Sequence, residues 1–365
     1  MKRALDIARF GLGNVSPNPM VGCVVAKGDR IIAEGWHRRF GGPHAEVDAL
    51  RKCTKSASGA TVHVSLEPCS HHGKTPPCTD ALIAAGVKRV VIAVRDPNPT
   101  VSGRGVAQLR RAGIHVDVGL CAQEARDVLA PLLTRHLLGR PYVIAKWAQS
   151  LDGKLATRTG DSKWISCGES RRTVHKLRAR IDAIMIGSET ALQDDPLLTA
   201  RDVPLRRTAT RVVLDGRLRT RLRSALVRTA SDWPLIVFTT KANASSDKAH
   251  QLRARGVEIV PARTRGGRIV VSNVLKQLAE RDATNVLVEG GATLLRAFFQ
   301  AGLIDESWVF VAPKLIGGDR DVGSVVTGVS RVSQARTPLR VHTRPSGVDT
   351  FYRMRWTDPP GASKY

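Results

Sequence analysis

The spacing of apolar residues divides the chain into two successive patterns. Residues 1–11 set Ala4, Leu5, Ile7, Ala8 and Phe10 among Lys and Arg, which predicts an amphipathic helix ended by Gly11, Gly13 and Asn14. Ser16-Pro17-Asn18-Pro19 reads as a rigid turn. The apolar run 21–26 and the segment 31–35, separated by Asp29-Arg30, predict a hairpin. Residues 43–51 predict a helix with Val47, Ala49 and Leu50 on its core face, carrying His44 and Glu46 in its first turn. Residues 61–66 alternate as a strand, 79–85 form a helix closed by Gly86, and 89–94 are a further strand. A last strand is expected at 113–119 and a helix at 124–138, broken by Gly139-Arg140-Pro141. This order describes an α/β sandwich.

Beyond residue 139 strands alternate with helices. Strands are expected at 142–150, 183–187, 212–215, 235–239, 257–260 and 285–289, with helices at 170–180 and 294–301. Such a chain builds a mostly parallel sheet whose ligands bind at the carboxyl ends of its strands. The boundary falls at 139/140, giving domains 1–139 and 140–365, as a length of 365 residues allows.

Composition narrows the setting. No apolar run is long enough to span a bilayer, and the first nine residues lack the apolar core of a signal peptide. A cytoplasmic protein with no membrane partner is expected, its six cysteines reduced. The net charge of +25 raises the question of an anionic partner. The excess is spread along the chain, and its densest cluster, Arg217-Leu218-Arg219-Thr220-Arg221-Leu222-Arg223, suits one face of a short extended segment. A solvated basic surface accounts for it without nucleic acid.

Candidate chemistry centres on His44, Cys69 and Cys78, with Glu46 beside them. One imidazole and two thiols can hold zinc with a fourth position open to water, and a nearby carboxylate can carry its protons. That is the plan of a zinc hydrolytic deaminase acting on a nucleobase-like ring. The bland alternative is a core histidine beside two buried thiols. A Pro-Cys after a strand and a second Cys opening a helix converge too well for that reading. A tRNA-type nucleic-acid deaminase with an accessory domain, which the positive charge would serve, is the rival activity. A zinc-stabilised basic scaffold is the non-enzymatic rival, and it leaves Glu46 without a use. In the second half, Gly290-Gly291 between a strand and a helix offers backbone N–H groups for a phosphate. No Gly-x-Gly-x-x-Gly stands at a strand-to-helix junction.

Eight residues separate Cys69 from Cys78 where the commoner deaminase pattern has two. The string Leu66-Glu67-Pro68-Cys69-Ser70-His71-His72-Gly73-Lys74-Thr75-Pro76-Pro77-Cys78-Thr79-Asp80-Ala81-Leu82 resembles the bifunctional deaminase/reductase family of riboflavin biosynthesis. Pro17-Asn18-Pro19-Met20-Val21-Gly22 and Asp96-Pro97-Asn98-Pro99 also match, as do Lys146 to Gly153, Ser162 to Ser166, Gly187 to Thr190, Asp194 to Thr199, Val213 to Asp215 and Val288 to Gly291.

The resemblance covers nearly the whole chain. It implies a cytidine-deaminase-like α/β sandwich followed by a dihydrofolate-reductase-like α/β domain. It implies one Zn2+ per deaminase domain, held by His44, Cys69 and Cys78, with Glu46 catalytic, and NADPH in the second domain. Ala148, Trp164, Thr190, Asp194, Gly291, Ala292, Thr293, Leu294, Leu295, Arg296 and Ala297 would line the cofactor. Ser162, Arg178, Leu198, Arg201 and Glu289 would face the substrate, a pyrimidine ribose phosphate. His71 and His72 would be loop residues near substrate, not ligands. The side-chain chemistry agrees at several positions: Arg178 and Arg201 can fork a ribose 5-phosphate, and Trp164 offers a flat wall beside a nicotinamide. A homo-oligomer, dimer or tetramer, is the expected assembly.

Overall fold

The alternation in residues 61–66 and the apolar runs on either side place one five-stranded sheet in the first 139 residues. The computed structural model describes residues 1–73, 76–98, 101–318, 325–326 and 328–361. Lys74, Thr75 and Pro99 of the quoted motifs lie outside them. Met1–Gly139 and Arg140–Asp358 fall into two compact units.

In the first unit, helix α1 (Lys2–Ala8) runs into a 3-10 turn, Arg9–Gly11. The hairpin β1 (Gly22–Lys27) and β2 (Arg30–Trp36) follows, then α2 (Ala45–Arg51), β3 (Thr61–Val64), α3 (Cys78–Ala84), β4 (Arg89–Ile92), α4 (Arg104–Arg111), β5 (His115–Val118) and α5 (Ala122–Leu138). The sheet order is β2-β1-β3-β4-β5. β1 is antiparallel to β2 and β3, and β3, β4 and β5 are parallel. Val62 and Val64 of β3 and Val90 and Ile92 of β4 are fully buried. They give the support from which the segment after β3 is aimed. The helix α4 has no counterpart in the sequence expectations.

The second unit begins with β6 (Tyr142–Ser150) and α6 (Gly168–Arg178). Next come β7 (Ala183–Gly187), α7 (Ser188–Asp194), β8 (Thr210–Leu214), α8 (Ala225–Arg228), β9 (Leu235–Thr239), α9 (Lys241–Ala244), α10 (Asp247–Arg253) and β10 (Glu258–Pro261). A small hairpin, β11 (Thr264–Arg265) and β12 (Arg268–Ile269), precedes α11 (Val271–Glu280), β13 (Asn285–Glu289), α12 (Ala292–Gln300) and β14 (Glu306–Ala312). The unit ends with β15 (Arg340–Ser346) and β16 (Asp349–Arg355).

Nine strands form one sheet in the order β10-β9-β8-β7-β13-β6-β14-β16-β15. From β10 to β14 neighbours are parallel, and β16 and β15 add an antiparallel edge. The central parallel strands are rich in apolar residues, as strands covered on both faces are. In β13, Val286, Leu287 and Val288 are fully buried. The mostly parallel sheet is as the sequence predicts, and the last three strands extend it. The arginine cluster at 217–223 is not an extended strand. Leu218 and Thr220 point inward and the arginines outward, but Leu218 has a positive φ, and Asp215 holds the Thr220 amide at 2.7 Å.

Arg211 on β8 is the largest fully buried side chain among the described residues. Its guanidinium donates to the carbonyls of Leu197 (3.2 Å), Leu226 (3.1 Å), Thr229 (3.0 Å) and Trp233, and to Thr229 Oγ1 (2.7 Å). It thus pins the loop before Leu198 to the end of α8. Arg211→Met should leave those carbonyls without donors and destabilise the second unit by roughly 2–4 kcal/mol. A thermal unfolding scan of the variant against the wild type measures this. An unchanged midpoint would mean that water replaces the guanidinium.

Candidate active sites

The first site is assembled from the segment that follows β3 and the starts of α2 and α3. His44 is the residue before α2, with extended backbone (φ −71°, ψ 165°), rather than part of its first turn. Its side chain does not cap the helix, so the ring is free to face Cys69 and Cys78. His44 Nδ1 lies 3.5 Å from Cys69 Sγ and 3.3 Å from Cys78 Sγ. The three donor atoms all fall within 4.8 Å of one another, the grouping expected of a metal site. Two thiols and an imidazole are the donors zinc prefers. Cys78 opens α3, and its amide donates to Cys69 Sγ at 3.4 Å. The closeness of the two sulfurs, with His44 beside them, lowers the Cys69 thiol and pushes Cys78 up. His71 and His72 are exposed and lie outside this group.

Glu46 sits in the first turn of α2 and is 3% exposed. Burial, reinforced by the charge on Cys69, pushes its carboxyl up to about 7. A carboxyl poised near neutrality can both take and give a proton. His37 was not singled out from sequence. Its ring packs edge-on to His44 with centroids 5.3 Å apart, Nδ1 lies 2.9 Å from the Pro43 carbonyl, and Nε2 lies 3.2 Å from Asn18 Nδ2. Burial lowers its pKa, keeping the ring neutral. Asn18, inside the quoted Pro-Asn-Pro, was the available signal. Asp96 after β4 is likewise pushed up to about 6 by burial, against the Asn98 amide it accepts at 2.8 Å.

The second site lies at the carboxyl ends of three adjacent strands, β7, β13 and β6. Glu289 ends β13 and is paired in register with Lys146 of β6. Arg178, at the end of α6, grips Glu289 with two bonds, Nε at 2.6 Å and Nη2 at 2.8 Å. Its Nη1 donates to the Thr199 carbonyl at 3.3 Å. Lys146 Nζ stands 4.0 Å from Glu289. Burial alone would raise the Glu289 carboxyl, but Arg178 and then Lys146 outweigh it and hold it at about 2. Burial lowers the Lys146 ammonium, opposed by Glu289. The Arg178 fork meets Glu289, and the Arg201 side chain is exposed.

The cofactor candidates are sorted by the same geometry. Thr190 on α7 accepts the Gly291 amide at 3.3 Å, joining the turns after β7 and β13. Ala148 is partly open on β6. Asp194 lies 3.8 Å from Lys163 Nζ. Trp164 is 60% exposed, its ring 4.7 Å from the Arg171 guanidinium and its carbonyl 2.7 Å from Lys314 Nζ. An exposed indole and an open Gly290-Gly291 turn suit a flat, phosphate-bearing cofactor. Gly291, Ala292 and Thr293 stand at the mouth of α12, with Arg296 and Ala297 partly open one turn on. Leu295 is fully buried in the hydrophobic core, and Leu294 is 8% exposed. Leu198 is buried with φ +54°, and Ser162 is partly open.

Comparison with known proteins addresses both units. Residues 1–94 match the cytidine and deoxycytidylate deaminase zinc-binding region, and residues 141–344 match the RibD C-terminal domain. Riboflavin biosynthesis protein RibD of Aquifex aeolicus is 46% identical over 325 residues, covering 89% of each chain. The chain belongs to the RibD family. RibD of Escherichia coli is 40% identical, covering 92% of both. Among solved structures, RibD of Acinetobacter baumannii superposes with a TM-score of 0.86 at 35% identity, covering 98% of this chain and 97% of that one. A Thermotoga maritima diaminohydroxyphosphoribosylaminopyrimidine deaminase/5-amino-6-(5-phosphoribosylamino)uracil reductase gives 0.84 at 39% identity over the same shares.

As a RibD the chain is a bifunctional riboflavin biosynthesis enzyme, a hydrolytic deaminase and a reductase, with zinc and NADPH as cofactors. The fold is the cytidine-deaminase-like sandwich followed by the reductase domain. The tRNA-type alternative is not favoured, because such an enzyme has no use for a RibD reductase domain. Among the described residues no helix is long and apolar enough to cross a membrane.

Proposed function

We propose that residues 1–139 deaminate diaminohydroxyphosphoribosylaminopyrimidine and that residues 140–365 reduce the resulting 5-amino-6-(5-phosphoribosylamino)uracil. One observation carries the reading: a single chain holds the His44, Cys69, Cys78 and Glu46 cluster and the triad of half-buried Lys146 and Arg178 about buried Glu289. His44, Cys69 and Cys78 would hold the zinc. Zinc, when bound, would lower the pKa of the water that adds to the ring carbon carrying the amino group. Glu46 takes the proton of that water and delivers it to the departing amino group. Water enters, ammonia leaves, and the ring becomes a uracil.

In the second step NADPH, when bound, supplies a hydride. The ribosyl C1 gains that hydride and the sugar oxygen a proton, which opens the sugar to a ribityl chain. Glu289, kept ionised by Arg178, accepts hydrogen bonds from the sugar hydroxyls. Arg201 meets the 5-phosphate. Ser162 and Leu198 border the substrate, and Ala148, Trp164, Thr190, Asp194 and the Gly291 to Ala297 segment border the cofactor. We place the enzyme in the cytoplasm as a homo-oligomer, dimer or tetramer, a point that sedimentation velocity decides. The cysteines of the described residues are all free, which suits a reducing compartment.

Metal removal tests the division of labour. Chelation with dipicolinate should abolish ammonia release and spare NADPH oxidation on the deaminated substrate, with zinc restoring the first activity. Ammonia release that survives complete zinc removal would overturn the assignment.

A further inference from the structure

The strand β3 delivers two chemically different residues, and the proposed reaction uses only Cys69. Glu67, two positions earlier, is 3% exposed. Its backbone extends the β3–β4 pairing, with Glu67 N donating to Val94 O at 2.9 Å. Its carboxylate accepts three backbone amides: Asp96 N at 3.3 Å and Gly103 N at 3.0 Å on Oε2, and Val106 N at 3.1 Å on Oε1. All three donors belong to the segment after β4 and the first turn of α4. Buried amides at a helix start need partners, and one carboxylate serves the group.

The same helix reaches Cys69 by a second route. Gln108 of α4 accepts Thr79 Oγ1 at 3.0 Å, and the amide and hydroxyl of Thr79 each lie 3.2 Å from the Cys69 carbonyl. Gln108 also donates to Asp80 of α3 at 2.7 Å. The Pro68–Cys69 turn is therefore held from both sides by α4. Close approach is built in at Gly105, where a Cβ would stand 2.2 Å from the Pro68 carbonyl and 3.2 Å from Glu67 Cγ.

We infer that Glu67 is a positioning residue, which seats α4 against the Pro68–Cys69 turn and so fixes the Cys69 sulfur for zinc. This rests on the reading of His44, Cys69 and Cys78 as the ligands. Groups that orient a metal ligand commonly change metal affinity about 10–100-fold when removed. The substitution Glu67→Gln keeps the side-chain volume but sets an NH2 group against backbone donors. The clamp, not the ligand set, is what that variant loses.

The test is a zinc competition titration with a chromogenic chelator on the full chain. Glu67→Gln should weaken zinc binding at least about tenfold and lower deaminase kcat, with NADPH oxidation on the deaminated substrate unchanged. The zinc-induced rise in unfolding temperature should shrink as well, since that increment reports affinity. A purely structural role would lower the unfolding temperature equally with and without zinc. Gly105→Ala disturbs the same clamp without touching a carboxylate, and carries the test if Glu67→Gln does not fold. Unchanged zinc affinity in the folded variant overturns the inference. A wild type that binds no zinc instead overturns the ligand reading beneath it.

Discussion

Glu46→Gln should cut ammonia release by at least about 100-fold while the protein keeps its zinc and its reductase activity. Gln matches Glu in volume, so the packing of a side chain that is 3% exposed is preserved. What it cannot do is carry a proton. Burial places the Glu46 carboxyl at about 7, where both protonation states are within reach during one turnover. His44, Cys69 and Cys78 remain as three donors within 4.8 Å, enough to retain the metal. Ammonia release, zinc content by mass spectrometry and NADPH oxidation on deaminated substrate measure the three expectations separately. Deamination at the wild-type rate would remove Glu46 from the mechanism. Loss of zinc would recast it as a ligand.

Arg178→Ala is the second large effect, and it should fall on turnover rather than on substrate affinity. The half-buried guanidinium makes two bonds to the buried Glu289 carboxylate. Removing it strands a buried carboxylate, which costs about 3–5 kcal/mol in comparable pairs. Reductase kcat should fall steeply with a modest change in KM, and deamination should be untouched. A rise in KM alone would mean that Arg178 binds phosphate, and that the grip on Glu289 is released when substrate arrives.

The pair also makes a pH prediction. Glu289 titrates at about 2 in the fold against an ordinary 4.5, so its folded pKa is depressed. Its contribution to stability is complete above pH 4.5 and is lost as pH falls toward about 2. The stability gap between wild type and Arg178→Ala should therefore narrow over that window, as measured by denaturant titration.

The two sites were legible to different depths, for physical reasons. The strands at 142–150, 183–187, 235–239 and 285–289 have the bounds their apolar runs indicate, because a parallel strand buried on both faces is apolar throughout. The metal cluster was readable because its ligands lie at element ends, where sequence marks the turns. The antiparallel edge was not. In β15, Arg340 to Pro345 are exposed, so no alternation marks it. Helix α4 carries Gly105 in its first turn and follows Gly103, a composition that hides a helix. The Arg178–Glu289 pair joins residues 111 positions apart, which no local pattern can announce. For the same reason the sequence does not show that the Arg178 fork meets Glu289, nor that helical phase sends the Leu295 side chain into the core.

Deamination before reduction, both on one chain, is decided by a single ordered assay. The full chain is incubated with diaminohydroxyphosphoribosylaminopyrimidine in the absence of NADPH, and ammonia is followed to completion. NADPH is then added, and absorbance at its nicotinamide band is recorded. One ammonia per substrate is expected before any NADPH is present, then one NADPH oxidised per ammonia already released. NADPH oxidation on undeaminated substrate, or ammonia release that waits for NADPH, would contradict this order.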